Sequence, residues 1–124
     1  MKPLYEDFVR TARNIIESNY DNETFGCPEL CESLKMSRSQ VHRKLITELN
    51  LSTSDFIKQI RLEKAKMLLM QTNHPINEIA YKVGYSDANY FSRSFSRLYG
   101  FPPSQCRLEI PSLASITTLI YSLI

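Results

Sequence analysis

The sequence predicts an all-α protein of about seven helices, in which one two-helix device is used twice with a long helix between the copies. Three observations carry this. Apolar residues recur at spacings of three and four along most of the chain, the period of a helix with one buried face. The 124 residues include only three Gly and six Pro against 43% apolar residues, a composition that folds rather than stays disordered. Finally, two stretches, residues 27–49 and 76–98, share one plan: a short amphipathic helix, a tight turn, and a capped polar helix.

The first helix is expected over residues 4–18. Phe8, Ala12, Ile15 and Ile16 form its apolar stripe, and Glu6 and Asp7 lie early, where the helix dipole favours acids. A polar loop runs from Asn19 to Gly26, with Phe25 as its anchor into the core. Residues 27–34 form a second short helix with Pro28 in its first turn, and Leu30, Cys31 and Leu34 face inward. Ser37 then caps a third helix, RSQVHRKLITEL, with Val41, Leu45 and Leu49 inward. The stretch Leu51 to Ser54 breaks that helix and caps the next. Residues 54–70 are the long linker helix, with Phe56, Ile60, Leu62, Ala65, Leu68 and Leu69 on a wide apolar face and Lys58, Arg61, Lys64 and Lys66 in solvent. The sixteen residues from Asp55 span about 24 Å.

In the second copy, Ile76, Ile79, Ala80 and Val83 share one helix face, and Ala80 is small where another helix must cross closely. Gly84 follows at the turn, where positive φ is needed. Ser86 and Asp87 are the cap candidates for the next helix, whose Phe91, Phe95 and Leu98 point inward at i, i+4 and i+7. In the first copy Lys35 occupies the place of Gly84. A lysine enters the left-handed region only at about 1 kcal/mol or more, so that turn is expected to differ in shape or to be the less stable. Tyr99 to Pro103 is a stop and turn, and a last short helix includes Ser104 to Arg107.

A small residue, a turn four residues later and then a basic polar helix is the helix-turn-helix pattern, whose second helix lies in the DNA major groove. The longer stretch GYSDANYFSRSFSRLYGFPPSQCR resembles the C-terminal signature of the AraC/XylS family of bacterial transcription regulators: glycine-aromatic, a polar run, Phe-Ser-Arg, Phe, then glycine, an apolar residue and Pro-Pro before a final Arg. The resemblance runs from about Phe8 to Arg107. It implies one DNA-binding domain over residues 4–107, with the first helix-turn-helix at 27–49, the linker helix at 54–70 and the second helix-turn-helix at 76–98. It also implies sequence-specific binding of double-stranded DNA, the two recognition helices entering successive major grooves about 34 Å apart.

By position in the family motif, Ser39, His42 and Arg43 would face bases from the first recognition helix, and Ala88, Asn89, Ser92 and Arg93 from the second. Arg pairs bidentately with guanine and Asn with adenine. Ser37, Arg38, Gln40, Lys44 and Arg97 would contact phosphates, which set affinity and register. The N–H groups at the recognition-helix N-termini are expected to add phosphate bonds. The resemblance further implies a bacterial cytoplasmic regulator, associated with the nucleoid when bound to DNA, that mostly activates by touching RNA polymerase. The stretch MSRSQVHRKL is similar to versions at the end of hybrid two-component sensor kinases.

Charge distribution agrees, although the net charge is only +2. Residues 1–34 carry three basic and seven acidic side chains, net −4, whereas residues 35–66 carry eight and three, net +5. A basic face over an acidic back is the electrostatic footprint expected for DNA. No enzyme is read here: there is no Gly-rich phosphate loop, nucleophile elbow or carboxylate pair. No cofactor and no metal site are expected, since Cys27 and Cys31 have no matching Cys/His pair and His42 and His74 are isolated. Three Cys without a secretory signal point to reduced thiols. Residues 108–124 form an apolar tail of unknown role, too short and interrupted to span a membrane, and no small-molecule effector site fits in the chain. The alternative class is a helical protein-interaction module whose basic face meets an acidic partner instead of DNA.

Overall fold

The computed structural model describes residues 4–109, and the expectation for the apolar tail, residues 108–124, falls almost wholly outside them. Among the described residues there are seven helices and no strand: α1 (Leu4–Glu17), α2 (Cys27–Leu34), α3 (Arg38–Leu49), α4 (Thr53–Gln71), α5 (Ile76–Lys82), α6 (Ala88–Tyr99) and α7 (Pro103–Glu109). The linker helix is 19 residues, longer at both ends than expected. Its start is set by Ser52, whose Oγ accepts from the Asp55 N–H at 3.1 Å. The chain divides into two compact units, the boundary falling inside α4 between Arg61 and Leu62.

The first unit is built on α1, α2, α3 and the first half of α4. Phe8, Ala12 and Ile16, one helical turn apart, bury one face of α1, and Ile15 packs beside them. They meet Leu30 and Cys31 of α2, Val41 and Leu45 of α3, and Phe56, Ile57 and Ile60 of α4. Phe25 is buried as expected and anchors the loop before α2. Arg61 departs from expectation. Instead of lying in solvent, its guanidinium side donates to three carbonyls of that loop: Tyr20 at 3.2 Å from Nε, and Asn22 and Phe25 at 2.9 and 2.8 Å from Nη2. The planar five-donor fork of arginine gathers all three, of which the Asn22 carbonyl also accepts from the Phe25 N–H at 3.1 Å.

The second unit is built on Leu62, Ala65 and Leu69 of α4, Ile79, Ala80 and Val83, and an aromatic row. Tyr85 meets Phe91 at 5.4 Å between ring centroids, Phe91 meets Phe95 at 5.9 Å, and Phe95 meets Tyr99 at 4.6 Å and Phe101 at 6.2 Å. Phe91 and Phe95 are fully buried, each worth about 1.5–3 kcal/mol of transfer free energy. Leu98, expected inward, is 43% exposed. The last turn of α6 packs a half-buried Tyr99 against Phe95 instead, so the apolar row runs 91, 95, 99. Lys66, also expected in solvent, stands 4.7 Å over the Tyr99 ring. Arg107 of α7 donates from Nε to the Leu69 carbonyl at 3.2 Å, satisfying one of the carbonyls that the end of α4 leaves unpaired.

Candidate nucleic-acid interface

Each unit contains one short helix, one turn and one exposed helix, and the turns are built alike. After α2, the Lys35 N–H donates to Glu32 O and the Met36 N–H to Cys31 O, both at 3.1 Å. After α5, Gly84 donates to Tyr81 O at 3.1 Å and Tyr85 to Ala80 O at 3.0 Å. Both are Schellman closures with one left-handed residue. Lys35 takes that conformation itself, at φ 56° and ψ 42°, where the second turn has Gly84 at φ 91°. The expected difference in turn shape is therefore absent: the hydrogen bonds hold lysine in the region glycine enters freely. The turns differ in length instead. Only Met36 separates Lys35 from the cap Ser37, whereas Tyr85 and Ser86 separate Gly84 from the cap Asp87.

Those caps aim the exposed helices. At α3, Ser37 Oγ accepts from the Gln40 N–H at 3.2 Å while Gln40 Oε1 accepts from the Ser37 N–H at 3.0 Å, a capping box. The box uses acceptor oxygens of both side chains. Their hydroxyl and amide hydrogens are donors, the kind of group a phosphate needs. At α6, one carboxylate oxygen of Asp87 accepts from the Asn89 N–H at 2.8 Å and the Tyr90 N–H at 3.2 Å. This narrows one expectation. The N–H groups of Gln40, Asn89 and Tyr90 are already engaged by their own caps, so they are not open donors for phosphate.

On α3, Arg38, Ser39, Gln40, His42, Arg43 and Lys44 are all exposed, while Val41 and Leu45 face the core. On α6, Asn89, Arg93 and Arg97 are exposed on the side away from Phe91 and Phe95, whereas Ala88 and Ser92 are half-buried and lie nearer to those rings. Of the expected base-facing residues, Ser39, His42 and Arg43 are exposed on α3 and Asn89 and Arg93 on α6. Arg43 and Arg93 each stand six positions after their helix cap. Two of these cations have aromatic neighbours that the sequence reading did not anticipate. Lys44 Nζ lies 5.2 Å from the Phe8 ring centre, on the α1 side of α3, and the Arg93 guanidinium lies 6.0 Å from that of Tyr90. A cation near a ring face is restrained without losing its outward charge. The sequence reading also passed over Ile46, which is 40% exposed on α3. Its spacing of three from Arg43 was the signal available.

Cys27, Cys31 and Cys106 are free thiols, the last two buried. Burial pushes Cys31 and Cys106 up from the ordinary thiol range; the neighbouring Cys27 adds to the rise at Cys31. Among the described residues no group of three or more His, Cys, Asp or Glu side chains could hold a metal, and no helix is long and apolar enough to cross a membrane.

Comparison with known proteins places these features in context. The profile of a helix-turn-helix domain family matches residues 30–109. Over 100 residues the chain is 33% identical to histidine kinase P4 of Formosa agariphila, covering 81% of this chain and 7% of that protein. It is 37% identical over 101 residues to the raffinose operon transcriptional regulatory protein RafR of Pediococcus pentosaceus, covering 80% of this chain and 35% of that one. The chain therefore spans well under half of the curated relatives it matches. Its fold is similar to the C-terminal domain of the two-component response regulator yesN from Fusobacterium nucleatum, with TM-score 0.74 and 34% identity over 82% of this chain and 98% of that one.

Proposed function

The chain belongs to the AraC family of helix-turn-helix, DNA-binding transcription regulators, and from that premise we propose that it reads double-stranded DNA through one major-groove segment per unit. In this reading α3 presents Ser39, His42 and Arg43 to bases, and α6 presents Ala88, Asn89, Ser92 and Arg93. Ser37, Arg38, Gln40, Lys44 and Arg97 hold phosphates. The observation that carries the reading is the equivalence of the two exposed helices. Each follows the same turn closure, each is capped by its own side chain, and each sets an exposed arginine six positions after the cap. An arginine so placed supplies the bidentate donor pair that guanine O6 and N7 accept.

The two helices differ at every other proposed base position, so the two DNA elements differ in sequence and the site is asymmetric. The domain performs no catalysis in this reading. It serves as the output end of a longer bacterial regulator, of the two-component or sugar-operon kind suggested by its relatives, acting in the cytoplasm on nucleoid DNA and touching RNA polymerase to activate.

Selection of binders from a random duplex pool, followed by titration on the recovered and scrambled duplexes, tests this directly. Arg93→Ala is expected to weaken specific binding by about 1–3 kcal/mol and to relax one position of the recovered site. An equal small loss on both duplexes would remove Arg93 from base readout. No salt-dependent duplex binding at all would leave the acidic-protein partner as the occupant of the basic face.

A further inference from the structure

We propose that Ile46 is a specificity residue of α3 that reads the 5-methyl group of a thymine. The proposal rests on the reading of α3 as a recognition helix and extends it to a residue that reading does not use. Ile46 is a large apolar side chain left 40% exposed, while Val41 and Leu45 on the same helix are fully buried. At about 100° per residue it lies roughly 20° around the helix from Ser39 and 60° from Arg43, and about 140° from Val41. It is therefore continuous with the Ser39–Arg43 face and turned away from the core.

Its chemistry narrows what it can meet there. Isoleucine has no donor or acceptor, so it cannot hold a phosphate or the hydrogen-bonding edge of a base. In the major groove the one apolar feature is the thymine methyl, which apolar side chains contact. Placement follows from the helix rise. Ile46 stands about 4.5 Å along the axis from Arg43, against about 3.4 Å between successive base pairs. The thymine should thus lie one to two base pairs from the guanine that Arg43 reads.

The test uses the whole chain and the tightest duplex that the wild type recovers from a random pool. Each thymine is replaced singly by deoxyuridine, which removes only the methyl. One replacement, one to two base pairs from the position relaxed in Arg43→Ala, is expected to weaken wild-type binding about fourfold, the worth of one buried methyl-sized group. Ile46→Ala should bind the thymine and uracil duplexes equally, and Ile46→Val should keep part of the difference. Unchanged thermal melting confirms that the exposed site was altered without unfolding. The inference is overturned if no thymine methyl matters near that position, if Ile46→Ala keeps the wild-type methyl preference, or if Ile46→Ala weakens scrambled duplexes as much as the selected one. Those results leave the DNA reading standing, whereas a selection that recovers nothing removes both.

Discussion

Replacing Lys35 with glycine should make the first unit more stable, because the lysine is held where an L side chain is crowded. Its φ of 56° and ψ of 42° put Cβ close to the following carbonyl, at a cost of about 1–2 kcal/mol. Glycine removes that cost but gives the unfolded chain extra freedom, which takes back about 0.4–1 kcal/mol. At the middle of these ranges the net gain is about 0.8 kcal/mol. For a unit of this size, 1 kcal/mol moves the melting temperature by about 4–8 °C, so Lys35→Gly should raise it by about 3–6 °C in a circular-dichroism melt. Lys35→Ala separates backbone from charge. It removes the ammonium but keeps Cβ in the left-handed region, and should stay within about 0.5 kcal/mol of the wild type. Gly84→Ala is the converse, placing a Cβ at φ 91°, and should lower stability. A Lys35→Gly variant that melts no higher than the wild type would refute the strain argument. So would a Lys35→Ala variant that gains as much as Lys35→Gly.

Other expectations follow from contacts already described. Arg61→Met should cost about 2–3 kcal/mol in denaturant unfolding, since the Tyr20 and Phe25 carbonyls lose the guanidinium and Asn22 O keeps only the Phe25 N–H, and Arg61→Lys should recover only part because one ammonium cannot reach all three. Lys44→Ala should lower the slope of log affinity against log salt by about 0.9 and weaken all duplexes alike, as a phosphate contact does; a loss confined to one sequence would make it a base reader. With a thiol-specific reagent in native buffer, Cys27 should react first and Cys31 and Cys106 only as the chain opens. Because burial raises the latter two thiols, the folded state keeps their protons longer than the unfolded chain does. Stability should therefore be flat below the ordinary thiol range and fall as pH rises through it. A rise in that window would contradict the assignment.

Periodicity and punctuation made most of this architecture legible before any coordinates. Cys27–Leu34 and Arg38–Leu49 begin and end where the Pro28, Ser37 and Lys35 signals put them. What escaped has physical reasons. Leu98 and Tyr99 are both compatible with a stripe through Phe91 and Phe95, and only the packing against Phe95 and Lys66 decides between them. Arg61 reads as a surface cation because its partners are backbone carbonyls nearly forty residues away, and backbone groups leave no pattern in side-chain identity. The shape of the Lys35 turn was hidden for the opposite reason: propensity argued against it, and two cooperating hydrogen bonds overrode propensity. At the interface, residue types indicated which side of each recognition helix is polar. They did not reveal that the caps already occupy three of the N–H groups a phosphate would use.

In the proposed reading, closing the start of α6 with Asp87 rather than serine would divide labour between the two recognition helices. A carboxylate at that tip would be repelled by a polyanion, whatever the sequence, so α6 would contribute less indiscriminate grip than α3, which begins on a neutral hydroxyl. The second helix would then engage fully only where well-matched base edges outweigh the repulsion, making it the stricter judge of whether the protein has arrived at the right address.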